Sequence, residues 1–326
     1  MLFINHFNTN SYFNHAAEQY VLENFNDECF MLWRNEPCIL IGKNQNALAE
    51  INMDYIKEKN ITVVRRLTGG GAVFNDLGNI NFTFIAKNTE DVSSNFRKFT
   101  NPLLKALQAL GVNAEFSGRN DLVIEGKKFS GNAQYYHKDK VLHHGTLLFS
   151  SSMTDLSKAL KVNPLKLKDK GVKSVSSRVT NISEHLREPM TVLEFKNYVI
   201  DFVMKIYGEK NLYEFNNEDL KVIAKIVEER FSNWDWNFGH SPKYTYSKQK
   251  RFKGGTLEIS FDVRQGYITK LKFYGDFFFT KDIKELEEKF IQLPHEENAI
   301  KEFLNNNNIE EYIKAVEPSD ILELMF

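Results

Sequence analysis

Apolar residues at Phe13, Ala16, Ala17, Tyr20, Val21 and Phe25 recur at the helical period, as do Phe96, Phe99, Leu103, Leu104, Leu107 and Leu110. Both stretches predict helices with one face in a core. A third helix is expected from Thr191, where Glu194 three residues on completes a capping-box pattern, and continues through Phe195, Val199, Phe202 and Ile206. A fourth covers about Glu218 to Phe231. Between them, Cys38–Ile41, Ile61–Val64, Ile80–Ala86, Asp121–Ile124 and Val141–Phe149 are rich in β-branched and aromatic residues and predict strands. Strands and helices mix without strict βαβ alternation, which points to an α+β fold rather than a doubly wound sheet.

The text changes between Trp234 and Lys253, where WDWNFGHSPKYTYSKQKRFK reads as a loop and a domain boundary. Beyond it, Gly255–Val263 and Tyr267–Tyr274 flank Gly266 as a hairpin, and helical segments follow at Ile283–Ile291 and His295–Phe303. The expected organisation is a large unit over 1–240, a linker over 241–252 and a small unit over 253–326. About 75 residues make a marginal core unless docked on a larger one.

With 326 residues, 42% apolar and 26% charged, the chain has the composition of a soluble globular protein, which excludes disordered, collagenous and disulfide-scaffold classes. No apolar run approaches the roughly 18–20 residues that span a bilayer. The start MLFINHFNTN lacks the basic and long apolar segments of a signal peptide, so a cytoplasmic location without a membrane partner is expected. Forty-two Lys and Arg balance 43 Asp and Glu for a net charge of −1, which gives no global reason to expect nucleic acid. Any anion site must be local. Cys29 and Cys38 are too few for a disulfide framework and are not at zinc-ligand spacing.

The first chemical feature is the stretch VVRRLTGGGAVFNDLGN, in which Gly69, Gly70 and Gly71 clear a loop of side chains next to Arg65 and Arg66. Glycine reaches the dihedrals that turn successive N–H groups toward an anion, and arginine adds bidentate contacts. A tight turn with two solvated arginines is the competing reading. The loop is neither a P-loop nor a dinucleotide fingerprint, because the Lys-Ser/Thr and the G-x-G-x-x-G spacing are both absent.

The second feature is SGRNDLVIEGKKFSGNA. A hairpin around Glu125 and Gly126 returns the chain as a strand in which Lys128 and Ser130 share one face, with Lys127 and Phe129 on the other. A lysine held on a strand places its ammonium where negative charge develops, although two solvated lysines are the commoner outcome. Asp121 can orient that lysine, coordinate magnesium or cap a turn. In HHGTLLF, His143 and His144 face opposite sides of a strand and cannot chelate one metal together. One histidine stays a site candidate. Gly145 reads as a close backbone approach or a bulge.

Taken together, RRLTGGGAVFNDLGN, GRNDL with KKFSGNA, HHGTLL and KGVKSVSSRVTNI resemble the lipoate-protein ligase A family, and the likeness extends over nearly the whole chain. WDWNFG and RFKGGTLEISFDVRQG are similar to that family's linker and accessory-domain start. The resemblance implies the α+β fold of biotin and lipoate ligases with a small C-terminal domain. It also implies condensation of lipoate with ATP to lipoyl-AMP and pyrophosphate, with Mg2+ as cofactor, then transfer of the lipoyl group to a lysine of an apo carrier. That carrier would be a glycine cleavage H protein or the lipoyl domain of a 2-oxoacid dehydrogenase E2, and the enzyme a monomer.

Carried over by motif, Arg66, Gly71, Ala72, Val73, Phe74, Asp121, Lys128, Ser177 and Arg178 would contact ATP. Gly69, Gly70, Gly71, Lys128, Ser130, Gly131 and His144 would contact lipoate, and Lys128 would be the catalytic residue. The segment Lys170–Ile182 would fold over the adenylate. One departure is Asn75, where the family often has histidine, and this removes proton transfer at that position from the expectation. An ATP-independent acyltransferase would need an activated thiol beside a base, and a non-catalytic lipoate- or carrier-binding homologue would need neither. A biotin ligase would carry an arginine-rich nucleotide loop, which is not seen here.

Overall fold

The computed structural model describes residues 1–88, 92–160, 178–208, 211–238, 246–264 and 266–326. Its largest layer is an eight-stranded mixed sheet in the order Leu212–Tyr213, Leu2–Asn5, Cys29–Trp33, Asn79–Lys87, Lys140–Leu148, Lys127–His137, Asp121–Ile124 and Ala114–Ser117. The first three strands run parallel to one another, and the pairs beyond them are antiparallel. The α+β expectation holds.

Strand alternation explains how this sheet serves two purposes. On Asn79–Lys87, Ile80, Phe82, Phe84 and Ala86 enter a core with Phe99, Leu103 and Leu107 of the helix Val92–Ala109 and Phe195, Val199 and Val203 of the helix Val192–Tyr207. The other face of the same strand carries Asn79, Asn81 and Thr83, all buried. A row of buried polar groups at every second position must find partners or a ligand. The helix Ser11–Asn24 lies over this polar face, and its Ala16, Ala17, Val21 and Leu22 pack with Met31, Trp33 and Leu142. The capping box at Thr191 forms as expected, with Thr191 and Glu194 satisfying each other's main-chain N–H.

A second sheet has Cys38–Ile41 in the middle, parallel to Thr62–Arg65 on one side and antiparallel to Val73–Asn75 on the other. The glycine loop therefore runs from one edge strand to the other across the end of the central strand. Gly42, the first residue past that end, shows the closeness of the crossing: a Cβ there would lie 1.9 Å from the Gly70 carbonyl oxygen.

The third sheet is a meander of Tyr246–Phe252, Gly255–Arg264 and Tyr267–Gly275, packed through Leu257, Ile259 and Phe273 against Leu286 and Phe290 of the helix Ile283–Phe290 and Ile300 of the helix Glu297–Asn305. Its edge strand Tyr246–Phe252 lies inside the stretch expected to be loop and linker. Sequence pattern hid it because four of its seven residues, Ser247 to Lys250, are exposed and polar or charged, the composition that protects a free edge. The unit docks on the larger one: the Gly275 N–H donates to the Asn44 carbonyl at 2.9 Å, and Lys43 pairs with Asp282 at 2.7 Å. This docking supplies the support that so small a core needs.

Gly145 is not a bulge, since it keeps its register with Phe82 and Asn132 on the flanking strands. A Cβ there would sit 2.5 Å from Asn132 Oδ1 and 2.6 Å from Phe82 Cζ, so the core ring occupies the missing side chain's space. Gly145→Ala is expected to lower unfolding stability in urea by about 1–3 kcal/mol, the scale of overpacking.

Candidate active site

The faces just described meet in an open cleft with room for about 130 Å³. Its walls include Arg66, Gly70, Gly71, Ala72 and Val73 from the glycine loop, Lys128 and Gly131 from one strand and His144 from the next. These eight expected residues come together from segments up to 78 positions apart.

Both arginines are buried, and neither is solvated. Arg65 donates from Nε and both terminal nitrogens to the carbonyls of Gly42, Lys43, Gln45, Trp236 and Asn237 at 2.7–2.9 Å. Arg66 donates to the carbonyls of Leu40, Gly69 and Gly71 and to Thr68 Oγ1 at 2.7–3.0 Å. Burial pushes each guanidinium down to about 10, still far above neutrality, so both stay cationic. Arg66 is thus an internal brace that turns loop carbonyls inward. No described residue accepts a hydrogen bond from the N–H of Gly70 or Gly71. Gly70 holds φ at +92°, and the Cβ position of Gly71 faces open space.

Beneath the loop lies a network that the sequence reading missed. Glu18 is 3% exposed and accepts from His15 Nδ1 at 3.0 Å, His144 Nδ1 at 2.9 Å and Thr83 Oγ1 at 2.5 Å. His144 Nε2 meets Thr68 Oγ1 at 2.7 Å, which leads on to Arg66. Burial raises the Glu18 carboxyl, but the charge and hydrogen bond of His144 and the hydrogen bond of His15 outweigh it and hold Glu18 below its ordinary range. Burial pushes the His15 imidazole down, against the opposing pull of Glu18. The available signal was polar residues on the buried face of an apolar helix, His15 and Glu18, matched by Asn79, Asn81 and Thr83 at strand spacing.

Lys128 is the cation that faces the opening, 38% exposed, with Nζ 2.7 Å from Asp121 Oδ1. Its backbone is pinned on both sides. It pairs with Val123, and on the other flank its N–H donates to the Arg178 carbonyl at 2.8 Å while its carbonyl accepts from Thr180 at 3.0 Å. The register shifts between Leu122 and Val123, so the lysine strand carries an extra residue there. This bulge breaks the expected sharing of a face: Lys128 lines the cleft, whereas Ser130 is buried and off its wall, beside Asn132 Nδ2.

Other expected residues are placed differently as well. Phe74 packs with Ile39 and Ile41, and Gly69 lies against Phe277 of the C-terminal unit, where a Cβ would be 2.4 Å from its carbonyl oxygen. Arg178 reaches Lys128 through its main chain. Ser177, Gly171 and the rest of Lys170–Ser177 lie outside the described residues. His143 is on the far side of the sheet, bonded to Gln134 and Asn132 among Phe82, Phe96 and Phe99, so the opposite-faces expectation holds.

Fold and site together define a mixed-sheet domain that closes a braced glycine loop and a strand lysine around one cleft, with a small unit docked at the loop. The chain matches the family model of the lipoyl protein ligase A/B catalytic domain over residues 10–203 and that of the bacterial lipoate protein ligase C-terminus over 241–325. It belongs to the lipoyl protein ligase A/B family. It is 42% identical to a lipoate-protein ligase of Bacillus subtilis, LplJ, with both chains covered in full. Among solved structures it is similar to P. falciparum LipL1 in complex with lipoate, with TM-score 0.79, 29% identity, and 99% and 97% of the two chains covered. It is also similar to a bipartite lipoate protein ligase from Thermoplasma acidophilum described with its E2 lipoyl domain, with TM-score 0.65, 27% identity, and 75% and 98% covered.

Because the folded Glu18 carboxyl is depressed below its ordinary 4.5, its contribution to stability is present above the unfolded value and is lost as pH falls through the folded one. Glu18→Gln is expected to be less stable than wild type at pH 7, with the gap narrowing in urea titrations below pH 4.5. A gap that stays constant with pH would contradict an ionised Glu18.

Proposed function

We propose that this chain is an ATP-dependent lipoate–protein ligase that forms lipoyl-AMP and transfers the lipoyl group to a carrier lysine. The observation that carries the reading is a single strand-held ammonium, Lys128, sharing a cleft with loop N–H groups that have no described protein partner. Attack of the lipoate carboxylate on the α-phosphorus of ATP expels pyrophosphate and adds charge to the phosphoryl oxygens. Fixed donors and a cation stabilise that charge without reorganising. The N–H groups of the glycine loop and Lys128 take those roles, Asp121 orients the lysine, and Arg66 acts through the loop it braces. In the second step the carrier amine attacks the lipoyl carbonyl, AMP leaves, and the amine proton is released.

Magnesium would neutralise the departing pyrophosphate. Such an ion would be carried mainly by the nucleotide phosphates, with Asp121 as the carboxylate at hand. The carrier is the lipoyl domain of a 2-oxoacid dehydrogenase E2 or a glycine cleavage H protein, met by a monomeric, cytoplasmic enzyme. Among the described residues no helix is long and apolar enough to cross a membrane.

The thioester-forming transferase has no support at the cysteines. Cys29 and Cys38 are buried, and burial pushes both thiols up to about 12, the opposite of an activated nucleophile.

Lipoate-dependent ATP–pyrophosphate exchange is expected from the wild type and should fall by at least ~10²-fold in Lys128→Ala, the scale of losing one charge-stabilising group. Mass spectrometry of apo carriers after incubation with ATP, magnesium and lipoate should show one lipoyl addition. A folded Lys128→Ala protein with normal exchange would remove this lysine from the mechanism.

A further inference from the structure

The depth of the cleft has a chemical character that its mouth lacks. Lys128 stands at the opening, while His15, Trp33, Asn81 and His144 are 1%, 1%, 2% and 6% exposed and form its inner end. With activation at the mouth, the carboxyl of the acyl substrate lies near Lys128 and the tail runs inward to these four residues.

Two polar atoms there have no partner. His15 Nε2 and Asn81 Nδ2 are both buried and make no hydrogen bond. Their neighbours fix what each can do. Glu18 is ionised and accepts at His15 Nδ1, so Nδ1 carries the proton and Nε2 presents a lone pair. The ring is held by Trp33 edge-on at 5.2 Å and by Phe231 stacked at 5.9 Å. Asn81 Oδ1 accepts from Asn79 Nδ2 at 3.3 Å, which leaves the amide N–H of Asn81 as a donor. One acceptor and one donor thus flank the indole at the inner end of the cleft. Covering them with a plain alkyl chain leaves both unpaired, whereas a tail that both donates and accepts satisfies them.

We propose that His15 and Asn81 are specificity-determining residues that read the distal end of the acyl chain and favour the reduced, dithiol form of lipoate, whose S–H donates to His15 Nε2 and whose sulfur accepts from Asn81. The oxidised dithiolane keeps the acceptor but has no donor for His15. Octanoate has neither. The sulfurs keep their oxidation state throughout, since recognition alone is involved.

This inference rests on the ligase reading, and one experiment separates the two. Acid-dependent ATP–pyrophosphate exchange is measured on the full chain with dihydrolipoate under phosphine reductant, with lipoate without reductant, and with octanoate under both conditions as the control for reductant. The wild type is expected to show kcat/KM for dihydrolipoate about 10-fold above lipoate, with octanoate lowest, the scale of one net hydrogen bond.

His15→Asn, which keeps an amide toward Glu18 but deletes the Nε2 position, should bring the dihydrolipoate-to-lipoate ratio close to one. His15→Gln, which returns a polar atom at that distance, should restore part of it. Equal wild-type values for the two lipoate forms overturn the inference, and so does an unchanged ratio in folded His15→Asn. The wild-type ratio stands as a test even if the variants do not fold. No exchange with any acid would instead sink the ligase reading itself.

Discussion

One buried carboxylate organises the site. Glu18 gathers His15, His144 and Thr83 from a helix and two strands, and through Thr68 its influence reaches the guanidinium that holds the glycine loop. An ionised carboxylate in a protein interior is costly unless several donors surround it, so the elements that bring those donors are held in mutual register. The cleft above inherits its shape from that requirement.

The cations divide the labour by depth. Arg65 and Arg66 spend their donors on main-chain carbonyls and fix the turns at the end of the central strand of the second sheet. Lys128, on a bulged strand pinned by Val123 and Val179, is left to face the opening with Asp121 as its counter-ion. Planar guanidinium groups suit several fixed carbonyls at once, whereas an ammonium on a flexible stem suits a substrate that changes charge. The small C-terminal unit adds a further restraint. Phe277 and Phe278 lie against Gly69 and Gly70, and the Arg119 guanidinium sits 4.3 Å over the Phe278 ring, so the loop is held from both domains.

Local pattern reached a good part of this. Helical periodicity placed Phe13–Phe25 and Phe96–Leu110, the capping box located the start at Thr191, and alternation separated His143 from His144, because each of these follows from residues close in the chain. The ordered motif blocks carried the family and with it Lys128, Gly71 and His144 as residues of one cleft.

What lay beyond the sequence were relations between distant segments. Gly145 is small because Phe82 occupies its side-chain space, and Ser130 leaves the Lys128 face because a bulge offsets the two strands. Arg66 turns inward because the loop's carbonyls converge on it, and His15 and Glu18, which read as helix residues among apolar neighbours, become a polar floor only when two strands of another region bring Thr83 and His144 to them. Periodicity and motif settled which residues are buried and which family they serve. The direction in which each buried polar group spends its hydrogen bonds was decided by packing alone, because its partner is set by the fold and not by its neighbours in the chain.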